Sequence, residues 1–115
     1  MTQSAAGLAL LGLSALPASG DLYWDVNGAN FGGSNTPTAM GIWGVNSFWS
    51  SSADGDMATM PWTDGENAIF SAGTNVTGAY TVTVSGIQAV NNLAIEEGQI
   101  ILGGGELNLG GQITT

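Results

Sequence analysis

The residues best suited to chemistry in this sequence are neighbouring carboxylates. Three pairs occur: Asp54 with Asp56, Asp64 with Glu66, and Glu96 with Glu97. Two carboxyl groups roughly 5 to 9.5 Å apart can hydrolyse a glycosidic bond. None of the pairs lies beside a pattern that forms a cleft, so we interpret them as solvated loop and turn acids. The chain also has no Lys, Arg or His to serve a lyase, and we predict no catalytic residues and no enzymatic activity.

Two short segments carry oxygen ligands at alternate positions, as calcium-binding loops do. They are Asp54-Gly55-Asp56 and Asp25-Val26-Asn27-Gly28. Neither continues to the spaced acid that completes an EF-hand, and the aspartate-rich nonapeptide of calcium-binding β-rolls is missing. Asx side chains commonly form turns, which is the interpretation we favour. We predict no metal ligands and no cofactor, with weak calcium binding at these loops as the open alternative.

Three tryptophans, Trp43, Trp49 and Trp62, are the candidate binding residues, because an exposed indole can stack on a sugar ring. Burial is the commoner fate of large aromatic side chains. A glycan site would require these rings to form an exposed aromatic patch. The sequence therefore predicts glycan contact at these residues only under that condition.

The charge balance excludes whole classes of partner. The chain has nine acidic residues and no Lys, Arg or His, so its net charge is -9. Phosphate binding needs Lys or Arg, so nucleic acid and anionic membrane surfaces are excluded. The chain has no cysteine, so no disulfide is possible and the redox compartment cannot be inferred. At 115 residues the chain is one domain at most.

The first twenty residues differ from the rest. Residues 5–16 form an apolar run interrupted only by Ser14, Pro17 ends it, and the small residues Ala18, Ser19 and Gly20 precede Asp21. This layout is typical of a secretory signal segment, although a positive n-region is missing. The run is shorter than the ~20 residues that span a bilayer. We predict a signal-like segment at residues 1–20, with a short apolar helix that caps the fold as the alternative.

A short repeat organises the C-terminal part. The triplets Leu93-Ala94-Ile95, Ile100-Ile101-Leu102 and Leu107-Asn108-Leu109 begin seven residues apart, and each runs into glycine. Positions n and n+2 share a face in a strand but not in a helix, and glycine costs roughly 1 kcal/mol per residue inside a helix. We predict strands separated by sharp turns, with Leu and Ile pairs facing inward. Three such faces give about 21 residues per coil, as in a parallel β-helix (β-solenoid). A sandwich or meander is the alternative.

The middle of the chain is predicted to be an irregular cap. Residues 21–79 hold all four tryptophans, with strands at residues 22–24, around Gly44 and at residues 67–70, and a loop at residues 71–78. Residues 80–84 alternate cleanly and begin the solenoid. The predicted organisation is a signal-like segment (1–20), a Trp-rich cap (21–79) and the first coils of a solenoid (80–115). These supply fewer coils than the ~3 repeats that stability requires, so we expect a longer protein.

A set of short motifs follows in order from residue 21. They are Tyr23-Trp24-Asp25, Gly41-Ile42-Trp43, Phe48-Trp49, Trp62, residues 64–70 (DGENAIF), 80–84 (YTVTV), 90–93 (VNNL) and 101–104 (ILGG). In this order they resemble the N-terminal region of bacterial proteins with autotransporter-associated β-strand repeats. The resemblance implies a secreted or cell-surface passenger on a right-handed parallel β-helix, acting as an adhesin or structural stalk. The family shares no catalytic residues, so none is carried over.

The sequence thus predicts an all-β, non-enzymatic N-terminal part of an exported surface protein. Its expected location is extracellular or on the outer-membrane surface, and the mature region is not expected to insert into a membrane. Its expected partners are downstream coils of the same chain and a glycan or protein on a host or neighbouring cell. The alternative is a small glycan-binding β-sandwich that uses exposed tryptophans. Burial of the tryptophans would favour the first reading.

Overall fold

The computed structural model describes residues 19–115, and these residues form an all-β fold without a helix. The predicted all-β class is therefore confirmed. The predicted signal-like segment lies almost wholly outside the described residues. The strands are β1 (Asp21–Trp24), β2 (Gly41–Trp43), β3 (Trp49–Ser50), β4 (Asn67–Phe70), β5 (Ala79–Val90), β6 (Leu93–Ile95), β7 (Gln99–Leu109) and β8 (Ile113–Thr114).

The larger sheet is built mainly from parallel strands in the order β3-β1-β4-β6-β8. Leu22 pairs with Ala68, Ala68 with Leu93, and Leu93 with Ile113. Only β3 runs antiparallel, against β1. Because parallel strands need a long crossover, each step of this ladder takes the chain through the second sheet and back.

The second sheet is wholly parallel, in the order β2-β5-β7. Gly41 pairs with Val82, and Val82 with Leu102. The pairing of β5 with β7 is interrupted once, between Val84 and Ile87, and then resumes to Val90. Each long strand therefore carries two straight parts separated by a bend.

Glycine makes that bend possible. Gly86 and Gly104 have φ angles of +64° and +91°, which lie in the left-handed region that favours glycine. A Cβ on Gly105 would lie 2.0 Å from the carbonyl oxygen of Gly86, so the two bends stack without space for a side chain. The sharp turn that the sequence predicted at residues 103–105 is instead a bend inside β7, because hydrogen bonding to β5 continues on both sides of it.

The predicted strands are largely found. β1 and β4 match the predictions at residues 22–24 and 67–70, and β5 begins as predicted but extends to Val90. The region around Gly44 does yield two short strands, β2 and β3. They belong to different sheets rather than to one pair, because β3 joins β1 while β2 joins β5.

An amide ladder marks the start of successive strands in the larger sheet. Asn67 Nδ2 donates to Asp21 Oδ1 (2.9 Å), and Asn91 Nδ2 donates to Asn67 Oδ1 (2.9 Å). Asn92 Oδ1 in turn accepts the backbone N–H of Gln112 (2.8 Å). Stacked amides satisfy one another along parallel strands, so this ladder fixes which residue of each strand lies above which.

The core lies between the two sheets and begins in the tryptophan-rich region. Alternate residues of β5, namely Tyr80, Val82 and Val84, point into it, as the predicted alternation requires. Leu93 is also buried, whereas Leu102 and Leu109 are 36% and 40% exposed although they stack on Val82 and Val90. No described residue covers these two leucines on their far side. Both sheets include strands from each side of residue 79, so the predicted cap and first coils share one core.

Candidate functional site

The candidate glycan residues lie in a compact aromatic cluster. Trp49 is its centre: its ring centroid lies 5.1 Å from that of Trp24, 5.0 Å from Trp43, 4.7 Å from Trp62 and 5.6 Å from Phe70. Two of these four pairs are edge-on, an arrangement that aromatic quadrupoles favour, and the other two are tilted. β3 of the larger sheet and β2 of the second sheet carry Trp49 and Trp43 inward, so the two indoles meet between the sheets.

The three candidate glycan-binding tryptophans differ in how deeply they are buried. Trp43 and Trp49 are 0% exposed, and Trp62 is only partly buried. The two buried rings are surrounded by other aromatic side chains and offer no free face to a sugar. Glycan contact at Trp43, Trp49 and Trp62 stays a prediction, and it would require the first two rings to leave the cluster.

The indole nitrogens of the four tryptophans differ in their hydrogen bonding. Trp24 Nε1 donates a buried hydrogen bond to the carbonyl oxygen of Ala39 (2.7 Å), and Trp62 Nε1 donates a longer one to Ala89 (3.3 Å). Trp43 Nε1 and Trp49 Nε1 are buried and have no partner among the described residues. An unpaired buried donor costs about 1 to 3 kcal/mol. Trp43 and Trp49 therefore stabilise the cluster through apolar packing, whereas Trp24 and Trp62 also contribute hydrogen bonds.

In two of the three acidic pairs, the carboxylates accept hydrogen bonds from the backbone of other segments. Asp64 Oδ1 accepts the N–H of Ala89 (3.1 Å), and Glu66 Oε1 accepts the N–H of Gly20 (2.8 Å). Glu97 Oε2 accepts the N–H of Val76 (2.8 Å), while Glu96 is exposed. These carboxylates therefore tie separate segments to each other, which is a structural use of the charge.

The third pair lies on the loop after β3. Asp54 and Asp56 are both exposed, and Asp56 Oδ1 accepts the hydroxyl of Ser52. Gly55 has a φ of +73°, and a Cβ there would lie 2.4 Å from the carbonyl oxygen of Gly32. The close backbone approach of these two loops accounts for the glycine between the acids. The predicted turn role of Asp54-Gly55-Asp56 agrees with this geometry.

Asp25 differs from the other acids because it is 0% exposed. Its Oδ1 accepts the backbone N–H of Asn27 (3.0 Å), which closes the predicted Asx turn. Its Oδ2 is buried and has no partner among the described residues. Burial raises the pKa of the Asp25 carboxyl to about 6, and the Asn27 N–H only partly opposes this. The sequence placed Asp25 in a turn but did not predict its burial.

A second buried polar group lies where β4 ends and β5 begins. Ser71 and Tyr80 are 1% and 4% exposed. Burial raises the pKa of the Tyr80 phenol, and the nearby Glu97 carboxylate adds to this effect. Burial likewise raises the pKa of Glu97, although the N–H of Val76 lowers it in part. No sequence pattern predicted this grouping of Ser71, Tyr80 and Glu97, because its members are separated along the chain.

Shallow clefts open on the surface of the described residues. One of about 390 Å³ lies on the outer face of β2 and β5 and is lined by Met40, Ile42, Thr81 and Thr83, with others. Another of about 400 Å³ is lined by Phe31, Gly32, Asp54, Gly73, Thr74 and Asn75. Neither contains the two close carboxylates that glycoside hydrolysis requires. Within residues 19–115, no group of three or more His, Cys, Asp or Glu side chains is placed to hold a metal.

No helix in the described part of the chain has the length and apolar character to cross a bilayer. Comparison with protein-family models, with curated protein sequences and with solved structures found no match to this chain.

Proposed function

We propose that this chain is the N-terminal part of an exported β-solenoid surface protein with a structural or adhesive role. The observation that carries the proposal is the parallel register of the larger sheet. Leu93 pairs with Ile113, which follows it by twenty residues, and Tyr80 pairs with Ile100 at the same spacing. The last step of each sheet therefore spans about twenty residues, although the earlier steps are longer. A shared spacing of this kind supports a chain that winds repeatedly in one sense. It is also close to the coil length that the triplet repeat predicts.

The tryptophan-rich part would serve as the cap of such a rod. An uncovered first strand presents unpaired N–H and C=O groups and invites edge-to-edge association. β3 covers the free edge of β1 in antiparallel orientation. At the edge of the second sheet, Asn46 Oδ1 accepts the N–H of Ile42 (2.8 Å). Both first strands are thus closed to further pairing, which supports growth in one direction only.

The proposed mechanism is mechanical. Each added coil would pair with the one before it through main-chain hydrogen bonds and extend the rod without new side-chain chemistry. The unopposed acids keep such a rod soluble and separate from its neighbours. Contacts with another cell would then be made by the outward side chains along the coils.

The architecture is tested by duplicating one coil, residues 93–112, directly after residue 112. A solenoid gains one coil, so we expect more β-sheet signal in circular dichroism and an unfolding midpoint equal to or above that of the parent chain. A matched control inserts the same twenty residues in shuffled order, which should add no sheet and lower the midpoint. If both insertions behave alike, the coiled architecture is rejected.

Export is tested separately in cells. The whole chain, including residues 1–20, is expressed in a bacterium with two membranes and with an epitope inserted in the exposed loop at Ala29. We expect the epitope in the medium or in the periplasmic fraction released by osmotic shock, and a chain that lacks residues 1–20 only in the cytoplasmic fraction. Adhesion to other cells is then measured with beads coated with the purified chain. An epitope that stays in the cytoplasm with residues 1–20 present argues against an exported protein, whatever the outcome of the coil duplication.

A further inference from the structure

The loop that follows β1 encloses a carboxylate. Asp25 N donates to the carbonyl oxygen of Phe48 (2.8 Å), and Val26 N donates to that of Gly33 (2.8 Å). These bonds fold residues 25–35 back over the end of β1. The Asp25 side chain is left 0% exposed beneath them.

Two oxygen atoms of this loop have no donor. Asp25 Oδ1 is used by the N–H of Asn27, but Asp25 Oδ2 is buried without a partner in residues 19–115. Asn27 directs its Nδ2 to the carbonyl oxygen of Phe31 (3.3 Å) and to Asn35 Oδ1 (3.4 Å). Asn27 Oδ1 is also buried and has no partner in the described part of the chain. The two free oxygens stand two residues apart on one turn.

No side chain of this protein can neutralise the buried charge. The chain contains no Lys, Arg or His. A carboxylate removed from water is strongly unfavourable unless a positive charge and hydrogen bonds compensate it. Only a proton or a cation from solution can supply that charge. The presence of a second unpaired, neutral oxygen on the same turn favours a cation, because a proton would need only one of them.

We propose that this turn binds a calcium-type divalent cation through Asp25 Oδ2 and Asn27 Oδ1. Calcium takes six to eight oxygen ligands in adaptable geometry, so carbonyl groups of the loop and water can complete its shell. Zinc prefers nitrogen and sulfur ligands, and the chain has neither His nor Cys. With a single carboxylate the affinity is weak, about 10⁻⁴ to 10⁻³ M as in extracellular calcium modules.

The other turn with alternating acids does not share these properties. Asp54 and Asp56 are exposed, and Asp56 Oδ1 is already used by the Ser52 hydroxyl. Water can solvate both carboxylates, so nothing there requires a cation. Asp54→Asn therefore removes the same charge as Asp25→Asn from an otherwise comparable loop and serves as the matched control.

The experiment measures thermal unfolding in chelator and in rising calcium chloride, with choline chloride holding ionic strength constant. The folded-to-unfolded ratio should rise about 100-fold once free calcium is 100 times its Kd. Asp54→Asn should respond as the parent chain does, whereas Asp25→Asn should not respond. Terbium ion, excited through the tryptophans, should emit with the parent chain and with Asp54→Asn but not with Asp25→Asn.

A second variant keeps the proposal testable if Asp25→Asn does not fold. Asn27→Asp places a second carboxylate at the free oxygen, so it should be less stable in chelator and should bind calcium at least 10-fold more tightly. The proposal is overturned if the parent chain shows no calcium response up to about 10 mM, ten times the weaker limit of that range. It is equally overturned if Asp25→Asn responds as the parent does, since the effect would then be general screening of the acids.

Discussion

Trp24 and Trp49 allow the polar and apolar contributions to the core to be separated. Both side chains are 0% exposed, and their rings lie 5.1 Å apart in the same cluster. Trp24 Nε1 donates to the carbonyl oxygen of Ala39 (2.7 Å), whereas Trp49 Nε1 has no partner among the described residues. The substitutions Trp24→Phe and Trp49→Phe remove the same atoms from equally buried positions, so their transfer and cavity terms largely cancel in the comparison.

The two variants should then differ in free energy of unfolding mainly because only Trp24 donates an indole hydrogen bond. Trp24→Phe leaves the buried Ala39 carbonyl without its donor, which costs about 1 to 3 kcal/mol. Trp49→Phe removes a donor that was already unpaired, and this recovers about 1 to 3 kcal/mol of desolvation penalty. We therefore expect Trp24→Phe to reduce the free energy of unfolding by at least about 2 kcal/mol more than Trp49→Phe does. Trp43→Phe should resemble Trp49→Phe, because Trp43 Nε1 is also unpaired.

The assay is urea unfolding followed by far-ultraviolet circular dichroism, because tryptophan fluorescence changes in every variant. The slope of the free energy against urea must stay constant for the comparison to hold. Equal losses within about 0.5 kcal/mol, near the usual scatter of such comparisons, or a larger loss for Trp49→Phe, would refute the assignment of paired and unpaired indoles.

Three further predictions concern glycine, pH and salt. Gly73→Ala should lower the free energy of unfolding clearly more than Gly28→Ala does. Both glycines have a φ of +66°, so both substitutions introduce about 1 to 2 kcal/mol of backbone strain. Only at Gly73 would the added Cβ also meet backbone, 2.7 Å from Gly32 Cα. Similar unfolding midpoints would contradict this. Burial raises the pKa of Asp25 from 3.8 to about 6. In chelator, the contribution of this carboxyl to the free energy of unfolding is therefore full below pH 3.8 and is lost as pH rises through 6. The loss is up to about 3 kcal/mol and should be absent in Asp25→Asn. Since nine acids face no basic residue, raising salt from about 0.01 to 0.1 M should raise the melting temperature; a decrease would argue against net repulsion.

Strand positions were predictable where one face is buried and the other is not. Residues 80–84 alternate threonine with large buried residues, and the structure places Tyr80, Val82 and Val84 inside. A period of two is a local property of the chain, so the sequence suffices to identify it. The same holds for β4, where Asn67 precedes an apolar run.

The bend in β7 could not be predicted in this way. Consecutive glycines fit a turn and a stacked bend equally well, because both need a φ that other residues avoid. The choice depends on whether a neighbouring strand continues the hydrogen bonding, and here β5 does so from Ile87 to Val90. That partner is about twenty residues away in the chain, beyond any local pattern.

The buried Asp25 was missed for a related reason. An aspartate followed two residues later by asparagine indicates an Asx turn, and the turn is present. Its burial depends on Phe48 and Gly33 accepting N–H groups from residues 25 and 26. Those contacts are set by the loop as a whole. The amide ladder, by contrast, has a visible signal in the sequence, since Asn67, Asn91 and Asn92 lie at or just before the start of an apolar strand.

The tight aromatic interior lies toward β1 and β3, whereas Leu102, Leu109 and Ile113 in the last strands are substantially exposed. Resistance to opening should therefore fall off from one end of the molecule to the other. Under tension applied at residue 115, β8 and β7 would peel away first while β1 and β4 stay intact. Amide hydrogens should exchange in the same order, faster in β7 and β8 than in β1 and β4.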